Sequence, residues 1–319
     1  MAKTITFVCS CGLFLAAFGA AESNVALVGD RLTLDALLWS TAHWWQFEAG
    51  GVRSDDRVFE RVVALVGLTG RISSVASVRT YFDIGDYWGG PALDMYVNLR
   101  WRSGFELRVG QFLLPLGMDA ATDYGRQKLI YGSFVTGYAK PGGPRDIGAM
   151  GSWQHSGLSM SAAVVNGSGI NTGDDNQRKD VCGRIAVEPL PSLGAVFAVR
   201  GYFGWPGQTE VVWRSLALEA ALKRGKLALQ AESQNHRSPD TRNNTSYLQA
   251  AWDGGPLEPV ARLDLVMPQG KRLEFQITGG LNLQPVRDHL KVMLDYSYRR
   301  DYQDNWSVSG FVIRLQAEI

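Results

Sequence analysis

The feature that most constrains this chain is a two-residue alternation of apolar and polar side chains that recurs along its length. It is clearest over residues 92–102, where every second side chain is large and apolar and most of the others are polar or charged. The apolar set is Leu93, Met95, Val97, Leu99 and Trp101, and the polar set is Asp94, Asn98, Arg100 and Arg102. Successive side chains of a β-strand point to opposite faces, so this pattern predicts a strand with one apolar and one charged face.

About sixteen segments of this kind follow one another, most of them near the roughly 9–11 residues that a tilted membrane strand requires. They cover residues 31–47, 58–70, 74–83, 92–102, 104–112, 145–154, 158–166, 179–188, 195–203, 211–222, 226–233, 245–252, 260–266, 272–282, 290–299 and 306–319. The last segment changes phase near Gly310, which predicts a β-bulge there.

Charges of both signs share one face in many of these segments, as Arg262 and Asp264 do opposite Leu263. Such a face does not suit a dry core, because an unpaired buried charge is costly. It suits a water-filled lumen with the apolar face in lipid, where only a closed barrel satisfies every strand edge. Aromatic residues near predicted strand ends, including Trp44, Trp101 and Phe203, are typical of interfacial girdles. The sequence therefore predicts an all-β fold, a transmembrane antiparallel β-barrel of about 16 strands.

Connection lengths tend to alternate between short and long, as the two ends of an outer-membrane barrel do. Long links are expected at residues 47–57, 83–91, 112–144, 167–178, 234–244 and 300–305. The link 112–144 would be the third external loop. A segment this long without a sustained period is usually functional, and we expect it to fold inward and narrow the lumen.

The first 21 residues have the character of a signal peptide. Lys3 supplies a positive start, residues 5–18 form an apolar core, and small residues follow at 19–21. That core is shorter than the roughly 20 residues of a spanning helix. Residues 22–319 then form one exported barrel domain, placed in the outer membrane of the cell. Formal net charge is +1, which argues against a nucleic-acid binder.

Four segments resemble the phosphate-selective porin O/P family of Gram-negative outer membranes. They are RVGQFLLPLG at 108–117, RDIGAM at 145–150, VVNGSG at 164–169 and DVCGRIAVEPLP at 180–191. The resemblance implies a sixteen-stranded barrel, a homotrimer, and a third loop inside the lumen. It also implies an anion path of lysines and arginines, for which the matching positions are Arg126, Lys128, Lys140 and Arg145.

Selectivity in such a pore depends on the charges at its narrowest section. We expect the wall to add Arg100, Arg102 and Arg108 to the loop cations, because a guanidinium can bind two phosphate oxygens at once. The opposing acidic side would be Asp94, Glu106, Asp119 and Asp123. The alternative for each residue is a solvated wall charge that is paired locally and has no ligand preference.

Motifs for other chemistry are weak. The four histidines lack metal-ligand spacing, and no GxxxxGK phosphate loop occurs, so the sequence predicts no metal, cofactor or catalytic residue. The partners would be small hydrophilic solutes or anions, together with outer-membrane lipid and lipopolysaccharide. Two alternatives to an open pore remain: a plugged structural or adhesin-type barrel, and a barrel-embedded hydrolase using Ser156 and His155, whose adjacency does not make a triad.

Overall fold

The structure is a computed structural model that describes residues 25–28, 31–60, 62–85, 92–140, 142–205, 211–239, 241–270 and 272–319. The predicted signal peptide, residues 1–21, lies outside the described residues. No helix in the described part of the chain is long and apolar enough to cross a membrane.

Strands make up nearly all of the described secondary structure. They are β1 Val25–Val28, β2 Leu32–Ala49, β3 Val52–Phe59, β4 Val63–Arg71, β5 Ala76–Asp83, β6 Ala92–Arg100, β7 Phe105–Leu113, β8 Arg145–His155, β9 Leu158–Val165, β10 Asp180–Leu190, β11 Ala195–Gly204, β12 Trp213–Arg224, β13 Leu227–Arg237, β14 Arg242–Trp252, β15 Leu257–Pro268, β16 Glu274–Val286, β17 Leu290–Asp301 and β18 Trp306–Glu318. Two short helices, α1 Met118–Ala121 and α2 Phe134–Gly137, lie between β7 and β8, with a 3-10 turn at Tyr124–Arg126; a second 3-10 turn, Pro191–Leu193, joins β10 to β11.

The sheet is antiparallel and closes on itself, because β9 pairs with β10 and β18 pairs with β2. Its strands occupy sixteen positions around the barrel. β3 and β4 share one position, since β3 pairs with residues 42–49 of β2 and β4 with residues 32–39. β1 pairs with residues 32–34 of β2, beyond the point where β18 ends. The predicted sixteen-stranded antiparallel barrel is confirmed.

The two faces predicted from the alternation are also confirmed. In β15 the side chains of Arg262 and Asp264 are buried, whereas Leu263 between them is 38% exposed. The apolar side chains of Trp44, Trp101 and Phe203 are exposed as well. In a closed barrel the exposed apolar face is the outer one, so the charged face points inward.

Two predicted loops are wrong. Residues 47–57 are the ends of β2 and β3, joined by a tight turn in which Gly50 and Gly51 have φ of +57° and +81°. Positive φ at both central residues is the conformation of a type I′ hairpin, which glycine adopts without steric cost. Residues 234–244 are mostly the ends of β13 and β14. The predicted strand 58–70 is divided between two strands, because β3 extends to Phe59 and β4 begins at Val63.

The bulge expected near Gly310 is also wrong. The register of β18 with β17 runs without a shift from Leu290↔Ala317 to Asp301↔Trp306, and its pairing with β2 is equally regular. Trp306 and Val308, at the start of β18, therefore lie on the same inward face as the rest of the strand. The Trp306 ring lies 5.9 Å from that of Phe47 and 5.1 Å from the Arg299 guanidinium.

Candidate pore and the segment between β7 and β8

The connection between β7 and β8, residues 114–144, is called the loop segment below. It leaves the wall at Leu113 and returns at Arg145, and these two residues pair across the β7–β8 edge. Between these points its residues contact inward-facing side chains of β12 to β18. Contacts with so many strands fix the position of the segment relative to the wall.

Carboxylates of the wall accept hydrogen bonds from the backbone of the loop segment. Glu232 of β13 accepts the N–H groups of Met118 and Asp119, at 2.5 and 3.0 Å. Two further carboxylates act in the same way: Asp295 accepts from the Ile130 N–H at 2.7 Å, and Asp264 from the Phe134 N–H at 3.1 Å. Backbone groups that have no secondary-structure partner are thereby satisfied.

Cations and amides of the wall donate to carbonyl groups of the same segment. The Arg262 guanidinium donates to the carbonyls of Tyr131 and Gly132, each at 3.0 Å, and to Asp264 at 2.7 Å. Lys291 donates to the Gln127 carbonyl. Three wall amides complete the set: Gln234 donates to Tyr138, Asn282 to Lys128 and Gln316 to Gly125. The wall thus binds the loop backbone through its donors and its acceptors.

Apolar contacts secure the segment at its ends and centre. Phe112, Leu114 and Leu116 are buried and cluster with Ala139, which brings the start and end of the segment together. In the middle, Leu129 is buried against Ala251 and Val260 of the wall. Ile130 is buried against Met293 and Val312. Burial of apolar surface, worth about 25 cal/mol per Å², adds to the polar attachment.

Two of the predicted anion-path cations are structural. Lys140 forms an ion pair of 2.9 Å with Asp146, and both side chains are completely buried. Arg145 donates to Asp94 at 2.9 Å and to the Tyr124 hydroxyl at 3.0 Å, and it is also buried. These cations hold the return of the loop segment to the wall and present little charge to water.

The predicted wall cations lie elsewhere. Arg100 and Arg108 both bind Glu106, at 2.6 and 3.0 Å, near the short turn between β6 and β7. Arg102 lies in that turn. The loop segment leaves from the other end of β7, so the structure does not bring these arginines together with the loop cations.

The remaining predicted residues belong to the loop segment. Arg126 is exposed, and Lys128 forms an ion pair with Glu258. Asp119 faces its own segment, where it accepts hydrogen bonds from the Ser133 N–H at 2.6 Å and the Thr136 hydroxyl at 2.8 Å. Burial raises the pKa of the Asp123 carboxyl above its ordinary value, although Arg79 and Arg145 nearby oppose that rise.

Several inward ion pairs were not singled out from the sequence. Arg79 binds Asp35 at 2.9 Å, Arg184 binds Glu219 at 2.8 Å, and Arg299 binds Glu274. Arg200 is buried between Glu219 and Glu232. The alternation within each strand places all of these residues on the inward face. No local motif tells which of them meet, because the partners lie on different strands.

Exposure differs within some of the inward pairs and is equal in others, such as Arg79 with Asp35 at 12% each and Lys140 with Asp146 at 0% each. The Lys128 side chain is 31% exposed against 9% for Glu258, and Arg299 is 36% exposed against 11% for Glu274. Arg184 and Arg108 are likewise more exposed than their partners Glu219 and Glu106. Arg145 and Asp94 show a small difference in the opposite direction. In the pairs of Lys128, Arg299, Arg184 and Arg108, the cation is therefore the member that water reaches more easily.

Comparison with solved structures finds outer-membrane porins. An anion-selective porin from Comamonas acidovorans superposes with a TM-score of 0.69 at 15% identity, over 90% of this chain and 99% of that one. OprB of Pseudomonas putida gives a TM-score of 0.73 at 8% identity, over 91% and 94% of the two chains. Salmonella typhi OmpF, in complex with daunomycin, gives 0.64 at 13% identity, over 92% and 99%. No protein-family model matches the sequence, and no curated protein matches it either.

At such low sequence identity the comparison shows a shared fold only. The transported solute and the oligomeric state have to be argued from this chain itself. The similarity extends over nearly the whole length of each neighbour, so the barrel here corresponds to an entire porin barrel and not to a fragment of one. The chain therefore has the fold of outer-membrane porins.

Proposed function

We propose that this protein is an outer-membrane channel that passes small hydrophilic solutes by passive diffusion, with a mild preference for anions. In this proposal the loop segment lies in the lumen and sets its narrowest section. The observation that carries the anion preference is the greater exposure of Lys128, Arg184 and Arg299 than of their acidic partners. Charge near a constriction acts strongly on permeating ions because low-dielectric walls focus the field.

A phosphate-type preference is the finer form of the same proposal. The resemblance of residues 108–117 and 145–150 to phosphate-selective porins motivates it, and exposed arginines offer the two-point geometry that phosphate oxygens accept. A channel with such a site would lose chloride current when inorganic phosphate is added. A channel without one would conduct both anions in proportion to their mobility.

We further propose that residues 1–21 are removed and that the remaining chain lies in the outer membrane. There it would form a homotrimer without enzymatic activity. A trimer form of Vibrio cholerae OmpT, with a TM-score of 0.64 at 8% identity, is one of the similar structures and motivates this stoichiometry. Cross-linking of the protein in native membranes would measure it.

A plugged barrel is the second candidate, and a specific observation favours it. Leu129, Ile130 and Val135 of the loop segment are at most 3% exposed, which indicates dense packing between the segment and the wall. A barrel closed in this way would serve as a scaffold or adhesin. Current recordings separate the two candidates, because a plug passes no steady ion current.

Selectivity is tested by reversing the two loop charges at Arg126 and Lys128. In planar bilayers with a salt gradient, Arg126→Glu combined with Lys128→Glu is expected to move the reversal potential toward cations. The control reverses Arg237 and Arg242, two exposed arginines at outward positions of their strands. An unchanged reversal potential in the loop variant, or an equal change in the control, would place the selectivity elsewhere.

A further inference from the structure

Three arginines stand side by side on the outer surface of the barrel. Arg214 of β12 is directly opposite Arg237 of β13, which is directly opposite Arg242 of β14. All three are exposed and occupy outward positions, at the end of the barrel from which the loop segment leaves. With neighbouring strands about 4.8 Å apart, the row spans roughly 10 Å. We call these residues the arginine row.

The arginine row has no acidic counterpart in the part of the chain that the structure describes. No described carboxylate forms an ion pair with any of the three, and Arg237 has only a hydrogen bond of 3.0 Å to Asn235. Like charges directly opposite one another destabilise a sheet. An anion bound across the row would remove that repulsion, and guanidinium groups suit the oxygens of a phosphate.

Along β13 and β14, each successive pair of outward-facing residues away from the arginine row is less polar than the pair before it. The next outward pair is Asn235 and Asn244, joined by a hydrogen bond of 2.7 Å. The pair after that is Ser233 and Ser246, whose hydroxyls are 2.9 Å apart. Further along, the outward residues of these strands are apolar. This order of charge, amide, hydroxyl and hydrocarbon matches a lipid with a charged, sugar-like head and acyl chains.

A groove beside the row provides a place for hydrocarbon. Gly183 of β10 and Gly201 of β11 are directly opposite each other and leave its floor without side chains. Val181, Phe203 and Leu216 contribute apolar side chains to its lining, which also includes Arg214 and Arg237 of the arginine row. The groove has a volume of about 590 Å³, within the range of sites that hold small ligands.

We propose that the arginine row and this groove form a binding site for a phosphorylated glycolipid of the surrounding leaflet. The arginines and asparagines bind the phosphate and sugar groups, and one acyl chain lies in the groove. The inference rests on the proposed placement in the outer membrane, because the outward face must meet lipid. Each basic residue near an anionic lipid surface contributes about fivefold in affinity, so the row contributes roughly a hundredfold.

The test uses the full barrel in nanodiscs of neutral phosphatidylcholine, titrated with fluorescent diphosphoryl lipid A. The variant with Arg214→Gln, Arg237→Gln and Arg242→Gln is expected to bind roughly a hundredfold more weakly. The control carries Lys223→Gln, Arg224→Gln and Lys226→Gln, three cations at the other end of the β12–β13 hairpin, and should bind as the native protein does. Equal affinity of the native and row variants, or equal loss in both variants, would overturn the site.

A second variant tests the groove separately from the charges. At Gly201 an added Cβ would lie 3.7 Å from the Ser215 carbonyl oxygen, an ordinary contact, so the backbone accepts a side chain there and Gly201→Leu is designed to occupy the groove. It should weaken lipid A binding, while inorganic phosphate should compete only at far higher concentration than lipid A. Unchanged lipid binding by Gly201→Leu, or inorganic phosphate competing as well as lipid A, would contradict the acyl-chain part.

Channel recordings on the same variants keep the two proposals apart. The arginine row faces outward, so the triple variant should conduct as the native protein does. Absence of current in every sample would count against the channel and leave the lipid measurement standing. If the triple variant instead loses oligomeric assembly while lipid A binding is unaffected, the row is a contact between copies and the lipid site is wrong.

Discussion

Replacing Arg262 with methionine is expected to detach the middle of the loop segment from the wall. Arg262 is 3% exposed, and its guanidinium bonds to Asp264 and to the carbonyls of Tyr131 and Gly132. Methionine keeps an unbranched chain and removes every donor. Asp264 would then stay buried without its cation, holding only the Phe134 N–H.

The size of the effect follows from these contacts. Hydrogen bonds that involve a charged group contribute about 1.5–3 kcal/mol each, and breaking a buried ion pair costs about 3–5 kcal/mol. Because contributions within one network do not add, we expect the free energy of opening the segment to fall by about 3 kcal/mol. At 1.4 kcal/mol per tenfold, local opening becomes roughly a hundredfold more frequent.

Hydrogen exchange followed by mass spectrometry measures this opening directly. Amides of residues 128–137 should exchange roughly a hundredfold faster in Arg262→Met, while amides of β5 to β9 should be unaffected. The matched control is Arg184→Met, another inward arginine, whose ion pair with Glu219 lies within the wall. Exchange of residues 128–137 that is unchanged, or accelerated equally by both substitutions, would refute the attachment described above.

The remaining predictions concern one carboxyl group and one glycine. Because burial raises the pKa of Asp123 above its ordinary value of 3.8, the carboxyl is protonated as the pH falls through a window above that value. A negative charge then disappears beside Arg79 and Arg145, so the anion selectivity of the channel should increase as the pH falls through that window. Asp123→Asn should show at neutral pH the selectivity that the native protein shows at acid pH, with no further change on acidification. If the variant still changes its selectivity on acidification, another group is responsible. The free energy of unfolding should depend on pH in the corresponding direction. A group whose pKa is higher in the folded than in the unfolded protein stabilises the fold at low pH, and this contribution is lost as the pH rises through the folded pKa. Gly280→Ala places a Cβ 2.5 Å from Asp295 and 2.6 Å from Leu129, and overpacking of this kind costs about 1–3 kcal/mol. Gly279→Ala, with open space around its Cβ, is the control, and equal midpoints of thermal unfolding for the two variants would contradict the packing of Leu129.

The barrel could be predicted from the sequence because strand faces follow from a local rule. Leu290, Val292 and Leu294 lie outward and Asp295 inward simply by position along β17. The attachment of the loop segment could not be predicted in this way. Met118 and Glu232 are 114 residues apart, and nothing near either residue indicates their hydrogen bond.

The charges of the candidate site were only partly predictable for a related reason. The excess of cations between residues 123 and 145 is visible in the sequence, but their burial depends on the partner that the fold supplies. Lys140 meets Asp146 in a dry site, whereas Lys128 pairs with Glu258 and stays partly exposed. The family resemblance and the local excess of cations therefore put a structural cation and a candidate pore cation in one set.

The two segments that were predicted as loops but are mostly strands, residues 47–57 and 234–244, could not be recognised from the sequence for another reason. Residues 47–57 are rich in charge and glycine, which favours a loop, yet pairing of β3 with β2 satisfies their backbone groups beyond the apolar part of the barrel. All residues of β3 are exposed, so no apolar alternation marks this strand. Hydrogen bonding between strands, which leaves no periodic trace in the side chains, decides the structure there.

The central claim is that the charged face of the strands meets water in the lumen and the apolar face meets lipid. Its most direct test is the reaction of single cysteines at Ser161 and Ala162, neighbours on β9 that point inward and outward, in a Cys182→Ala background in lipid vesicles. Water-soluble charged methanethiosulfonates should modify Ser161→Cys, the anionic reagent faster than the cationic one, and should leave Ala162→Cys almost unmodified. Equal reaction at both positions, or reaction at Ala162→Cys alone, would contradict the account.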